Sequence, residues 1–349
     1  MTGEIVKSRE GEVGRVSLAR KNALNALTMP MCEAMIAALL EWRADPAVKA
    51  VILDHADQVR GFCAGGDVAM VRRAVLEDGG AAGRVFFMTE YRLNHLLFTF
   101  PKPVIAFMDG VTMGGGVGLA MPAVIRVATE NTLFAMPEGA IGLFPDVGAG
   151  YYLPRLPGQI GKFLALTGAR LDGAECLWAG IATHYCASDD LAEAKELIAK
   201  EPGAAEEILR DLASPAPAAR LAGNAALINS LFAPDTLEGI IAALEADDGK
   251  WAGKELKAVT SKCPTTAKVA LRQFVSAPGT FAEEMAREYA LAARMIARHD
   301  FVEGVRAVLV DKDGKPKWKP AHAEAVTEEM LDAIFAPLPA GEAWTPLEA

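Results

Sequence analysis

Three short, mostly apolar runs, Val48 to Asp54, Val104 to Met108 and Ala123 to Ala128, lie between longer stretches of helical character. Runs of this length, rich in β-branched residues, are the pattern of strands buried on both faces. Val13 to Leu18 reads as a further strand. Met29 to Trp42 reads as an amphipathic helix that stops at Asp45-Pro46, and Gly79 to Phe100 as a mixed helical segment that stops before Pro101. Proline punctuates both because it cannot continue a helix and biases the residue before it away from helical geometry. Strands separated by helices at this spacing predict β-α units with right-handed crossovers, hence an α/β fold built on a sheet.

Beyond about Gly158 the pattern changes, and the periodic segments are helical. They are Lys162 to Leu166, Gly173 to Ala179, Leu191 to Lys200, Ala204 to Leu212, Ala218 to Leu231, Leu237 to Leu244, Pro264 to Ser276 and Phe281 to Arg298, with a last helix near Thr327 to Phe335. Ser214-Pro215-Ala216-Pro217 is the clearest breaker. It divides a sheet-bearing core, residues 1–215, from a helical C-terminal region, residues 216–349. No repeat of fixed period and no long linker interrupts either part.

The 349 residues suit one large domain with an extension, and 52% hydrophobic content is ample for a packed core. Lys and Arg number 35 against 45 Asp and Glu, a net charge of −10. That balance disfavours a nucleic-acid coat, which needs clustered positive charge. An anionic ligand has to be met by local basic residues, backbone amides or helix N-termini. The five cysteines are odd in number, widely spaced and without a CxxC pair. They fit a reducing compartment better than a disulfide framework or a zinc site. With no secretory or transit pattern at the N-terminus and no run of ~18 apolar residues, a cytoplasmic chain with no membrane partner is expected.

Several catalytic signatures are missing: there is no GxxxxGK[ST], no GxGxxG after a strand, no GxSxG and no HExxH. Glycines and carboxylates remain. Arg60-Gly61-Phe62-Cys63-Ala64-Gly65-Gly66-Asp67 follows a strand and precedes a helical run; it is either a tight turn capped by Asp67 or a set of amides aimed at an anionic oxygen. Gly110 to Gly118 has four glycines in its last five positions. Each weakens a helix by about 1 kcal/mol relative to alanine, so either close backbone packing or bared amides must offset the loss. Phe134 to Gly148 carries Glu138 and Asp146 in an otherwise apolar loop. Alone, the first fits a solvated turn and the second an N-cap. Together, in a setting that raises carboxyl pKa, they are the best catalytic candidates in the chain. Lys312, Lys315, Lys317 and Lys319 form the one dense basic cluster, a solvated turn or a contact for phosphate.

In this order the segments resemble the crotonase (enoyl-CoA hydratase/isomerase) superfamily, and more closely its 3-hydroxyisobutyryl-CoA hydrolase branch. The resemblance covers nearly the whole chain. It rests on RGFCAGGD, DGVTMGGGVGLA, RVATENTLFAMPEGAIGLFPDVGAGYYLPRL, LTGARLDGAECLWAGIATH and HDFVEGVRAVLVDKDGKPKWKP. It implies a spiral of β-β-α units with a helical C-terminal region and a coenzyme A thioester as substrate. It also implies oxyanion-holding amides at Gly66 and Gly115, an acidic pair at Glu138 and Asp146, and substrate contacts that include Ala64 and Glu90. Hydratases of the superfamily carry a glutamate where this chain has Gly118, and the hydrolase branch, like this chain, has glycine there. The resemblance therefore favours hydrolysis of 3-hydroxyisobutyryl-CoA in valine breakdown, with hydration, isomerisation or hydrolysis of another short-chain acyl-CoA as the alternatives within enzymes. It calls for no metal or redox cofactor, coenzyme A being part of the substrate, and it allows a homo-oligomer. Arg60 and the 312–319 lysines are the candidates for the phosphates. A coenzyme A- or RNA-binding member without turnover is the competing class; the net charge and the two retained acids disfavour it.

Overall fold

The computed structural model describes residues 3–56, 60–277 and 279–347. Their strands are β1 (Ile5–Glu10), β2 (Val13–Leu18), β3 (Ala50–His55), β4 (Val104–Met108), β5 (Val111–Met113), β6 (Ile125–Ala128), β7 (Leu133–Ala135), β8 (Leu171–Asp172) and β9 (His184–Tyr185). The main sheet runs β1-β2-β3-β4-β6-β9, and β5-β7-β8 form a smaller one. In the main sheet only the β1–β2 hairpin is antiparallel; every other pair is parallel and joined through a crossover.

The two faces of the main sheet follow from the period of two along each strand. Val51, Leu53, Val104, Ala106 and Met108 point into a large core that gathers residues from Ile5 to Trp344. Ala50, Ile52, Ile105, Phe107, Ile125 and Val127 point the other way, against Leu191, Ala194, Ile198, Ala205 and Leu209 of two covering helices. Burial on both sides is why these strands read as continuous apolar runs. Among the described residues no helix is long and apolar enough to cross a membrane.

Helix boundaries sit where local chemistry puts them. Met29–Ala44 begins at Thr28, whose hydroxyl accepts from the Met31 amide, and ends on Asp45. Val68–Asp78 begins at Asp67, whose carboxylate accepts from the Met70 amide, so the expected cap is present. The long Ala81–Phe98 helix lies between Val68–Asp78 and Phe281–Met295.

Some expectations need correction. The Ala218 to Leu231 segment is not one helix but a 3-10 stretch, Arg220–Asn224, followed by a helix, Ala225–Leu231. The second half is not purely helical, since β8 and β9 lie within it. Strand β1 was not foreseen: it is an edge strand with only Ile5 fully buried, so its sequence carries little apolar signal. Lys250–Thr260 and His299–Val305 were also missed, because each buries an acid, Glu255 or Asp300, where helical periodicity calls for an apolar residue.

Candidate active site

The two glycine segments meet backbone to backbone. The Cys63 amide donates to Val111 O at 2.8 Å and the Met113 amide to Cys63 O at 2.9 Å, which brings residues 63–66 alongside 111–116. A Cβ on Gly116 would stand 2.2 Å from Cys63 O, and Gly114 has φ +48°, so side chains are excluded there by contact and by conformation. On the other side, the Leu27 amide donates to Gly65 O and the Asp67 amide to Leu27 O, at 2.7 and 2.9 Å. Gly115 opens the Gly115–Ala120 helix. Among the described residues, the amides of Gly66 and Gly115 meet no acceptor. Both readings of the glycine runs therefore hold at once, close packing and bared amides.

A pocket of about 170 Å³ opens beside these amides. Ala64, Gly65, Gly66, Gly114 and Gly115 line one side, Phe86, Phe87 and Glu90 another, and Glu138, Leu143 and Asp146 a third. Val308 and Leu309, on a π-helical turn at Arg306–Val310, complete the wall. No lysine, arginine or histidine is among the lining residues.

All three acids of the pocket are buried: Glu90 is 2% exposed, Glu138 4% and Asp146 4%. Glu138 opens the 3-10 turn Glu138–Ala140 and is not a solvated turn residue. Its Oε2 has no hydrogen-bond partner, and Glu90 Oε1 is likewise unpaired. Burial, with the charge of Asp146 second, pushes both carboxyls well above the usual carboxylate range. Asp146 is not a side-chain N-cap; its Oδ2 accepts from the Tyr91 hydroxyl at 2.7 Å. Burial raises its pKa to about 6, while the Tyr91 hydrogen bond acts in the opposite direction.

The Asp146 loop is held from behind. Glu288, on Phe281–Met295, accepts from the Gly148 amide at 2.7 Å and the Gly150 amide at 3.1 Å. The Cys263 amide donates to Gly139 O at 3.0 Å, tying the Glu138 turn to the same helical region. Asn94 Nδ2 donates to Gly118 O at 3.0 Å. A Cβ on Gly118 would lie 2.6 Å from Val147 Cβ and 2.8 Å from Asn94 Nδ2, so no longer side chain fits there.

The structure thus brings Ala64, Gly66, Glu90, Gly115, Glu138 and Asp146 into one pocket. It does not bring the basic candidates there. Arg60, Lys312, Lys315, Lys317 and Lys319 are exposed and line no part of it. Sequence reasoning missed Tyr91, Asn94 and Glu288. Tyr91 and Asn94 could have been found from Glu90, since Phe86, Phe87, Glu90, Tyr91 and Asn94 follow the three-and-four spacing of one helix face. Glu288 carries no such signal; 140 residues separate it from the Gly148 amide it holds.

A crossover sheet, paired glycine segments with two open amides and a wall of buried acids thus meet in one pocket. The chain belongs to the enoyl-CoA hydratase/isomerase family, whose model matches residues 13–335. Among curated relatives it is 43% identical to the mitochondrial 3-hydroxyisobutyryl-CoA hydrolase of Gallus gallus, covering 96% of this chain and 89% of that one. It is 42% identical to the Homo sapiens protein of the same name, with the same coverage. Among solved structures it matches a carnitinyl-CoA dehydratase from Mycobacterium thermoresistibile, with TM-score 0.92 and 37% identity over 99% of both chains. It also matches an enoyl-CoA hydratase from Rhodobacter sphaeroides 2.4.1, with TM-score 0.88 and 38% identity over 98% of this chain and 99% of that one.

Proposed function

We propose that this protein hydrolyses the thioester of 3-hydroxyisobutyryl-CoA, giving 3-hydroxyisobutyrate and free coenzyme A. The observation that carries the reading is Glu138, whose unpaired oxygen lies in a pocket walled by two open amides, with no room for a second acid at Gly118. Hydration across a double bond draws on a pair of glutamates in the superfamily pattern, and here that partner position is filled by Val147 and Asn94. The relatives named as 3-hydroxyisobutyryl-CoA hydrolases support the choice of substrate.

The chemistry follows from charge. Attack on the thioester carbon builds negative charge on its oxygen, and the Gly66 and Gly115 amides receive it; one such donor contributes roughly 3–4 kcal/mol. The thiolate leaves without strong acid help, because thiol pKa is about 8.5. Glu138 either attacks the carbonyl carbon, forming an anhydride that water then opens, or takes a proton from the attacking water. Asp146 accepts a hydrogen bond from the 3-hydroxyl of the substrate, and Glu90 closes the acyl end of the pocket. The reaction draws on no metal or redox group; coenzyme A enters as part of the substrate and leaves as the free thiol.

The test is thiol release from 3-hydroxyisobutyryl-CoA, with crotonyl-CoA in parallel, by the native protein and Glu138→Gln. Fast release that collapses in the variant supports the reading. Hydration of crotonyl-CoA without thiol release overturns it. After a single turnover in H₂¹⁸O, label in the Glu138 carboxyl identifies the anhydride path opened at the Glu138 carbon, which the general-base path cannot produce.

A further inference from the structure

Three carboxyls share one pocket without a cation in its lining, so their charges oppose one another and cannot all be present at once. Only one of the three has a side-chain donor. The Tyr91 hydroxyl is fully buried and donates a hydrogen bond to Asp146 Oδ2, its one acceptor among the described residues. The ring is fixed by its neighbours, with the Phe87 ring centroid 5.6 Å away. A ring needed only to fill this space could as well be phenylalanine; a buried phenol selects a position where its hydroxyl has a partner.

We propose that Tyr91 is a positioning residue for the reaction. It fixes one oxygen of Asp146, presents the carboxylate to the pocket, and makes Asp146, rather than Glu90 or Glu138, the acid that carries the charge when the pocket is empty. This inference rests on the hydrolase reading and adds a division of labour to it. The titratable groups that bear on Asp146 are Glu90 and Tyr91 from the Ala81–Phe98 helix, Glu138 from its 3-10 turn and Glu288 from Phe281–Met295. None is a cation, so the phenol is what distinguishes Asp146 from the other acids. Burial drives Glu90 and Glu138 well above the carboxylate range, whereas Asp146, with its donor, stays at about 6. The charged Asp146 gives the substrate hydroxyl an acceptor.

The experiment is Tyr91→Phe, read in two ways. The first needs no turnover: the Asp146 carboxyl carbon is followed by ¹³C NMR across pH, its signal assigned by its loss in Asp146→Asn. A hydrogen bond to a charged group contributes ~1.5–3 kcal/mol, so its removal should raise the Asp146 titration by about one pH unit or more. The second is the acid limb of kcat/KM for thiol release. It should move upward by a similar amount in Tyr91→Phe, and Tyr91→Phe should cause no further rate loss in an Asp146→Asn background. An unchanged Asp146 titration, or an equal rate loss at every pH, overturns the proposal and leaves Tyr91 a packing residue. If Tyr91→Phe fails to fold, fluorinated tyrosines at 91 replace it: a more acidic phenol should lower the Asp146 titration, and an unmoved one overturns the proposal. If the native protein releases no thiol from 3-hydroxyisobutyryl-CoA, the hydrolase reading fails while the NMR titration still decides the role of Tyr91.

Discussion

Two groups of buried acids lie on either side of the Asp146 loop, and they differ in one respect. Glu90, Glu138 and Asp146 line the pocket; Glu284 and Glu288 lie behind it, fully buried, with Gln273. In the rear group every carboxylate oxygen is engaged. Glu284 accepts from Gln273 and Arg287, and Glu288 from Gln273 and the amides of Gly148 and Gly150. In the pocket group, Glu90 Oε1 and Glu138 Oε2 accept nothing. Burial does not separate the groups, nor does a raised pKa, since burial and the Glu284 charge push Glu288 up as well. The difference is open acceptors facing a cavity. Even an orphaned atom is insufficient by itself: Gln273 Oε1 has no partner, yet Gln273 is not among the residues lining the pocket. Among these five acids both conditions are met together at Glu90 and Glu138.

That contrast can be broken by substitution. Glu138→Gln should lower kcat by roughly 10²–10⁴-fold and, because burial raises the Glu138 pKa, should not lower the unfolding midpoint at pH 7 but raise it, as thiol-release kinetics and urea denaturation will show together. Glu288→Ala should do the reverse in kind, acting first on stability. It strands two buried amides at ~1–3 kcal/mol each, and denaturant unfolding measures the loss. Equal kinetic damage from both variants, with equal stability, would erase the distinction.

Asp146→Asn sharpens the comparison through pH. The folded pKa of Asp146 is about 6, above the ordinary value of 3.8. Its protonated form therefore supports the fold fully below about pH 4, and that support is lost as pH rises toward and through 6. The asparagine variant should lack this slope and be more stable than the native protein at pH 7, by up to ~3 kcal/mol. Melting temperatures at pH 4, 5, 6 and 7 provide the check. The smallest effect is expected from Glu284→Gln, which keeps one acceptor for Gln273 and weakens the Arg287 pairing. A stability change of about 1 kcal/mol and an unchanged KM should result.

Much of the sheet was legible because strands buried on both faces write continuous apolar runs; β4 falls on Val104–Met108 as the sequence indicates. The site was legible where carboxylates interrupt an apolar loop, at Glu138 and Asp146, and where glycines crowd together. Tyr91 sits inside an ordinary helical pattern, and only the fold shows what its hydroxyl meets. The buried acids Glu255, Glu288 and Asp300 were opaque for a related reason. A charge on a helix face reads as solvent exposure until its partners, brought from elsewhere in the chain, are known.

The clasp between Glu288 and the Gly148 and Gly150 amides also sets an order of events at the ribosome. The clasp spans 140 residues, and at roughly 5–20 residues per second the Asp146 loop emerges about 7–28 s before the carboxylate that anchors it. Every main-sheet strand precedes that carboxylate in the chain. A nascent chain can therefore assemble its sheet before the anchor of the Asp146 loop has been made.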